Sequence, residues 1–483
     1  MNVPQIKKLK PKLNQFLRQF DDCFPRKDTR AHLPVYISGQ LSDLPEKSVE
    51  PIALEAGVAP RTLQEFLSQL RWGEDQMRDR LQGRVRTKHA GPRSIGIVDE
   101  TSYVKKGDKT PGVKRQWCGA VGKKENCMVT VHLGYAREDF HCLLDSELFL
   151  PEDWSEDRDR CREAGIPDSM TYRPKWQIAL ELYDRAVGNG LHFEWLTFDE
   201  GYGGKPDFLR GLAARDQLFV GEVPCNSVGW LKPPRVVTRP FHKNRRGRGR
   251  KVPRLASGSP PARRVDELLD QRPVRDQPWQ RWRVKDGDKG PMVWEIKHCR
   301  FTPKDEDGLP GEPLHLIVAR DVLNSQDRKF FVSNAPAETP VRTLLRVGFS
   351  RWRVERCFED QKGEVGLDHY EGRRYQGLKR HLILSAVSYL FLAETRQEFG
   401  GEKSGVDGVP SAYRAGGLDP VVVVGPATHE DASGTDGGAD PTSAAPECPG
   451  AEESHQDHTT QTPRVGHQTH RTPPLHLGAD LAL

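Results

Sequence analysis

The sequence predicts an α/β protein: a helical N-terminal segment, a mixed-sheet domain interrupted by a β-rich basic insertion, and a tail without helix or strand patterning. Three observations carry this. Apolar residues recur at helical spacing up to about residue 90. From residue 94 the period changes to short β-rich runs, then a helix and a further strand, as in hairpins followed by a crossover to a parallel strand. Beyond Gly400 the composition collapses into Gly, Pro, Ser, Thr, Asp and Glu. The expected divisions are therefore 1–90, a sheet domain in two parts (91–224 and 313–400), an insertion at 225–312, and a tail at 401–483.

The N-terminal segment opens with IKKLKPKLNQFLRQF, and KSVEPIALEAGVAPRTLQEFLSQLRW then reads as a helix-turn-helix. One helix ends near Ala56, Gly57 makes the turn, and Pro60 opens the next helix, where a missing N–H costs nothing. Arg61, Thr62 and Gln64 fall in its first turn, where such motifs touch base edges or phosphates. An ordinary αα-hairpin is the plainer alternative. SIGIVDET, RQWCGAVGKKENC and MVTVHLGYARE read as strands, PKWQIALELYDRAVGNG as a helix, and HFEWLTFDE as the next strand. The helix PDFLRGLAARD and the run FVGEVP follow.

In the insertion, KNRRGRGRKVPR holds seven basic residues and no acid. Lys243, Arg245 and Arg246 head that run, which is either a solvated loop or a grip on phosphates. The same choice applies to KKGDKTPGVKR, which begins at Lys105. WQRWRVKDG and PMVWEIKHCRFTP read as a hairpin. LHLIVARD and RKFFVSNAP are expected to resume the sheet domain, with long helices over 337–362 and 374–399.

The whole chain of 483 residues carries a formal charge of +5. From Glu402 onward four basic residues face twelve acidic ones, so the tail holds −8 and the first 401 residues hold +13. A basic body suits a polyanionic partner. Nine cysteines without a C-x-x-C pair indicate reduced thiols rather than a zinc site or disulfide framework. The longest apolar run, Leu382–Ala393, is too short to span a bilayer. The expectation is a soluble cytoplasmic protein with no membrane partner.

Two carboxylates stand out. Asp99 is expected to close the strand IGIVD and Asp199 the strand FEWLTFD, and strand ends of α/β sheets face the ligand crevice. Phosphodiester chemistry uses such pairs to clamp two divalent cations, on the order of 4 Å apart, over one phosphate. Either Asp alone is equally a turn former. A third acid comes from RWRVERCFEDQKGEVG, where Arg351, Glu355, Phe358 and Lys362 share one helix face. That stripe is either a surface ladder of ion pairs or an active-site face, with Glu359 as the rival to Glu355.

These segments resemble the DDE transposases of the IS four superfamily, particularly its IS seven-oh-one branch. The second acid of that branch is followed by Gly and an aromatic, matched by Asp199-Glu200-Gly201-Tyr202. Its third acid lies in a Tyr–Arg–Glu–Lys signature, and Arg351, Glu355 and Lys362 match the last three members. The Tyr position holds Gly348, with Phe349 beside it, so a hairpin intermediate is left open. The resemblance implies an RNase H-like core containing a β-rich insertion, which the 156-residue step from Asp199 to Glu355 accommodates. It also implies Asp99, Asp199 and Glu355 as catalytic metal ligands, with Arg351 and Lys362 on phosphates. The metal would be two Mg2+ ions, replaceable by Mn2+. The partners implied are the double-stranded DNA of element ends and target, and a second copy of the chain.

The function so implied is cut-and-paste transposition. Rivals are a DNA-binding regulator that uses only the N-terminal segment, an RNase H-like nuclease, and an inactive relic. The last bears on the tail, where helical periodicity, aromatic content and basic balance vanish within a few residues of Phe399. The tail reads as translation in a shifted frame, with a true disordered acidic tail as the alternative.

Overall fold

The computed structural model describes residues 3–238, 252–287, 290–400 and 422–424. Five helices come first: α1 (Val3–Leu17), α2 (Lys27–Gln40), α3 (Val49–Glu55), α4 (Pro60–Ser68) and α5 (Glu74–His89). The expected turn between α3 and α4 is present. Gly57 has φ +66°, a left-handed conformation that glycine adopts without strain, and Pro60 stands at the first position of α4.

A sheet follows from β1 (Ile95–Val104), β2 (Lys114–Cys118), β3 (Lys123–Arg137) and β4 (Phe140–Leu148), all paired antiparallel through β3. Three helices, α6 (Glu152–Glu156), α7 (Arg158–Ala164) and α8 (Lys175–Gly188), then cross to β5 (Trp195–Thr197). This strand runs parallel to β1, with Ile95–Ile97 opposite Trp195–Thr197. Short helices α9 (Glu200–Gly203) and α10 (Pro206–Ala213) lead to β6 (Val220–Val223), which a parallel bridge from Leu196 to Phe219 sets beside β5.

The second sheet departs from expectation. Its strands are β7 (Val228–Trp230), β10 (Arg263–Arg264), β11 (Gln280–Gly287), β12 (Gly290–Pro303), β13 (Leu314–Asp321) and β14 (Arg328–Ser333), with β8 (Val236–Val237) and β9 (Arg254–Leu255) as a separate pair and α11 (Arg272–Arg275) before β11. The β11–β12 hairpin is as read from the sequence. β13 pairs with β12 of the insertion, whereas β14 pairs with β13 and with β6, which lies beside β5, so one run of hydrogen-bonded strands joins the insertion to the sheet domain. Val422–Val424 add a further strand, β15, to β11. Consecutive valines are strong strand formers and β11 offers an open edge, so these three residues depart from the disorder expected of the tail. The rest of that expectation, including the shifted frame, falls on residues outside those described, as do Lys243, Arg245 and Arg246.

The last helices are α12 (Val341–Gly348), α13 (Trp352–Val365) and α14 (Tyr375–Gly400). The single helix expected over 337–362 is instead divided at a 3-10 turn, Phe349–Arg351. α14 is apolar around much of its circumference and buried accordingly, and no helix among the described residues is long and apolar enough to cross a membrane. Its cover comes from the N-terminal helices. Arg380 donates to the carbonyls of Phe66, Leu67 and Trp72, Tyr36 meets His381 at 2.9 Å, and Gln40 bonds Ser385 and Ser388. Gln82 of α5 reaches the Leu144 carbonyl of β4. The expected boundary at residue 90 is thus no boundary in the packing, because one hydrophobic core runs through the N-terminal helices, both sheets and α14.

Candidate active site

Asp99 lies in the middle of β1, not at its end as expected. The parallel partner β5 stops at Thr197, opposite Ile97, so the chain leaves the sheet at the level where Asp99 stands. Asp199 emerges at that point and caps α9, accepting from the Tyr202 N–H at 3.3 Å. Asp199 therefore comes near Asp99 where β5 ends, even though β1 runs on to Val104 along β3.

Burial and the neighbouring Asp199 charge together hold the Asp99 carboxyl well above the ordinary carboxylate range, against the opposing pull of Arg351. Among the described residues Arg351 is the one cation bonded to Asp99: its Nη1 lies 2.7 Å from Asp99 Oδ2 and its Nη2 lies 2.5 Å from Glu355 Oε1. A single guanidinium thus links the first and third expected acids. Although burial opposes its charge, Asp99, Glu355, Asp199 and Glu222 keep Arg351 firmly protonated.

The rest of the stripe lies along the same strands. Phe358 meets the buried His132 ring edge-on at 5.0 Å, and His132 is the cross-strand partner of Asp99. Burial pushes that imidazole down to about 3, so it is neutral. Lys362 reaches the Ser102 carbonyl at 3.4 Å and sits 5.6 Å from the Tyr103 ring, with burial lowering its affinity for a proton. This is not a surface ladder. Glu355 is half exposed and held by Arg351, whereas Glu359 is 71% exposed and, among the described residues, pairs with Arg356. Gly348 stands where the tyrosine of the resemblance would be. A Cβ there would lie 3.2 Å from both Phe331 and Val220, so close contact with β14 and β6 favours glycine. Phe349 does not replace that tyrosine; it packs on Trp294 and Phe331 of the second sheet.

A model of the DDE superfamily endonucleases matches residues 19–291, more than half of the sequence. The chain belongs to that family. It is also 30% identical over 208 residues to a probable transposase for insertion sequence element IS701 from Microchaete diplosiphon, covering 40% of this chain and 51% of that protein. The chain thus spans about half the length of this relative. Among solved structures, the NurA nuclease of Sulfolobus solfataricus aligns over 66% of this chain and 87% of its own at 8% identity, with a TM-score of 0.22, too loose to carry an argument. The family match includes Asp99 and Asp199 and stops before Glu355.

Endonucleases of this family generally use divalent metal ions, and the donor set here fits one in part. Buried Asp99 and partly buried Asp199 are hard oxygen donors near enough for the charge of one to act on the other. The Tyr202 hydroxyl is buried, and burial with the nearby charges of Glu100, Asp199 and Asp99 opposes its ionisation. Yet no three Asp, Glu, His or Cys side chains among the described residues converge as a cage, since Glu355 is drawn onto Arg351. Sequence reading also missed Glu222, which Lys329 holds at 2.9 Å, and the pair of Lys175 with Glu100 at 2.6 Å. No spacing in the sequence announces either pair. Arg61, expected to contact DNA, is 84% exposed and paired with Glu65 at 2.8 Å.

Proposed function

We propose that this chain is the transposase of an insertion sequence, binding terminal inverted repeats in double-stranded DNA and catalysing metal-dependent cleavage and strand transfer. The observation that carries this reading is the shared guanidinium of Arg351, which joins buried Asp99 to Glu355 beside Asp199. The succession β4, β3, β1, β5, β6 supports an RNase H-like core around that point.

In the reaction, Asp99, Asp199 and Glu355 would hold two Mg2+ ions, or Mn2+ in their place. Bound divalent ions supply charge neutralisation at the phosphate and a more acidic attacking water. Arg351 and Lys362 add fixed positive charge on either side of the phosphate. In the first step a water oxygen bonds to phosphorus and gives its proton to solvent, while the bond to the 3′-oxygen breaks and that oxygen takes a proton from solvent. The products are a 3′-hydroxyl and a 5′-phosphate. The 3′-hydroxyl then attacks a target phosphodiester in line, losing its proton to solvent as the target's own P–O3′ bond breaks and leaves a protonated 3′-hydroxyl on the target strand. Arg61 and the run containing Lys243, Arg245 and Arg246 grip DNA phosphates, and two copies of the chain pair the two element ends.

The test is a plasmid carrying the element's ends, incubated with the full chain and Mg2+ or with EDTA. Metal-dependent nicking at the ends followed by joining to a second DNA is expected. Nicking without joining would leave a nuclease and remove the transposase.

A further inference from the structure

The turn between β2 and β3 carries an arrangement that the catalytic site does not use. Of the ten tryptophans, Trp117 alone is exposed among the described residues, at 62%. It stands opposite Lys124 in the β2–β3 ladder, and Arg115 lies two residues earlier in β2 on the same face. Neither Arg115 nor Lys124 makes an ion pair among the described residues. On the opposite face Cys118 is buried, with its thiol 3.3 Å from the Ser102 hydroxyl, and the Ala120 N–H bonds the same hydroxyl at 3.1 Å. The hairpin is therefore rooted on β1. Ser102 lies three residues past Asp99, roughly 10 Å along the strand. Its carbonyl also receives Lys362.

We propose that this hairpin is a stacking platform for an unpaired DNA base, with Trp117 against the base and Arg115 and Lys124 on the flanking phosphates. The assignment rests on the DNA reading above and extends it to a second contact, a few nucleotides from the reacting phosphate. An exposed indole beside two cations matches the chemistry of a single strand, whose bases offer π-faces and whose backbone offers negative charge. Paired duplex offers this hairpin no accessible base face, so the preferred ligand is a frayed or cleaved end.

The experiment uses the full chain with two probes, a blunt duplex and the same duplex bearing a single-stranded overhang with 2-aminopurine. That probe is chosen because ten tryptophans would blur the protein's own fluorescence. Trp117→Ala is expected to weaken overhang binding by roughly 5- to 150-fold, the range that base–aromatic stacking provides, and to abolish 2-aminopurine quenching. Blunt-duplex affinity should be unchanged, and Trp117→Phe should restore most of the loss. Arg115→Ala and Lys124→Ala should each lower the salt slope of overhang binding by roughly 0.7–1. Unchanged overhang affinity in Trp117→Ala overturns the proposal, as does an equal loss on both probes. A lower sedimentation mass with unaltered DNA affinity would assign Trp117 to a second copy instead. If the wild-type chain binds neither probe, the DNA reading itself fails.

Discussion

Glu394 of α14 and Asp99 of β1 are both carboxylates largely withdrawn from water, and the protein treats them in opposite ways. Burial pushes Glu394 up, but His89 and the Arg84 guanidinium, at 2.6 Å from both oxygens, outweigh it, and Lys88 adds its charge. Its carboxyl is held down to about 2. Asp99 has one cation, shared with Glu355, and a second carboxylate beside it, so its carboxyl is held up instead. The first arrangement fastens helices together with the protein's own charges. The second leaves negative charge under-compensated where β5 ends, which costs stability and is tolerated where a cation from outside completes the set.

The sharpest way to break this contrast is to remove the under-compensated acids. Asp99→Ala, Asp199→Ala and Glu355→Ala are each expected to abolish cleavage, by on the order of a thousandfold or more, while DNA affinity measured by gel shift persists. Cleavage by Glu355→Ala together with its loss in Glu359→Ala would move the third acid one helical turn along α13.

The opposite end of the molecule predicts loss of structure rather than of chemistry. Deleting residues 1–90 strips Phe16 from Phe391, Tyr36 from His381 and three carbonyl acceptors from buried Arg380. Uncovering several core side chains at about 1.5–3 kcal/mol each exceeds the roughly 5–15 kcal/mol that holds a domain folded. The truncated chain should therefore show no cooperative thermal transition. A folded product would restore the N-terminal segment as a separate domain.

Effects of intermediate size are expected between these regions. Arg351→Ala and Lys362→Ala should slow cleavage by roughly 10- to 1000-fold, the loss typical of groups that stabilise phosphate charge. Wild-type strand transfer by both variants would return the α13 stripe to a structural role.

The smallest effect concerns Glu394→Gln. Losing its charge leaves Arg84 poorly compensated and should cost about 1–3 kcal/mol at neutral pH, read from urea unfolding. The folded carboxyl, at about 2, lies below its ordinary value of 4.5. The stabilisation is therefore complete above about pH 4.5 and is lost as pH falls toward 2. The variant should lack that component of acid destabilisation, and identical acid transitions in both proteins would remove Glu394 as its source.

Local pattern made several elements of this protein legible in the sequence alone. Gly57 and Pro60 punctuate two helices because backbone conformation at those residues depends on their own chemistry. The β11–β12 hairpin, the departure of the chain at Asp199, and the common face of Arg351, Phe358 and Lys362 follow from periods of two and of about 3.6 residues. Tertiary structure alone decided which edges met. β13 pairs with β12 of the insertion and β14 with β6 of the sheet domain, so the two regions share hydrogen-bonded strands, a choice invisible to periodicity. The same holds for the site. Asp199 comes near Asp99 because the neighbouring strand β5 ends, not because β1 does, and Arg351 bridges two acids that lie 256 residues apart. A sequence states which groups can carry charge; only folding sets the distance at which those charges act, and Coulomb energy depends on that distance.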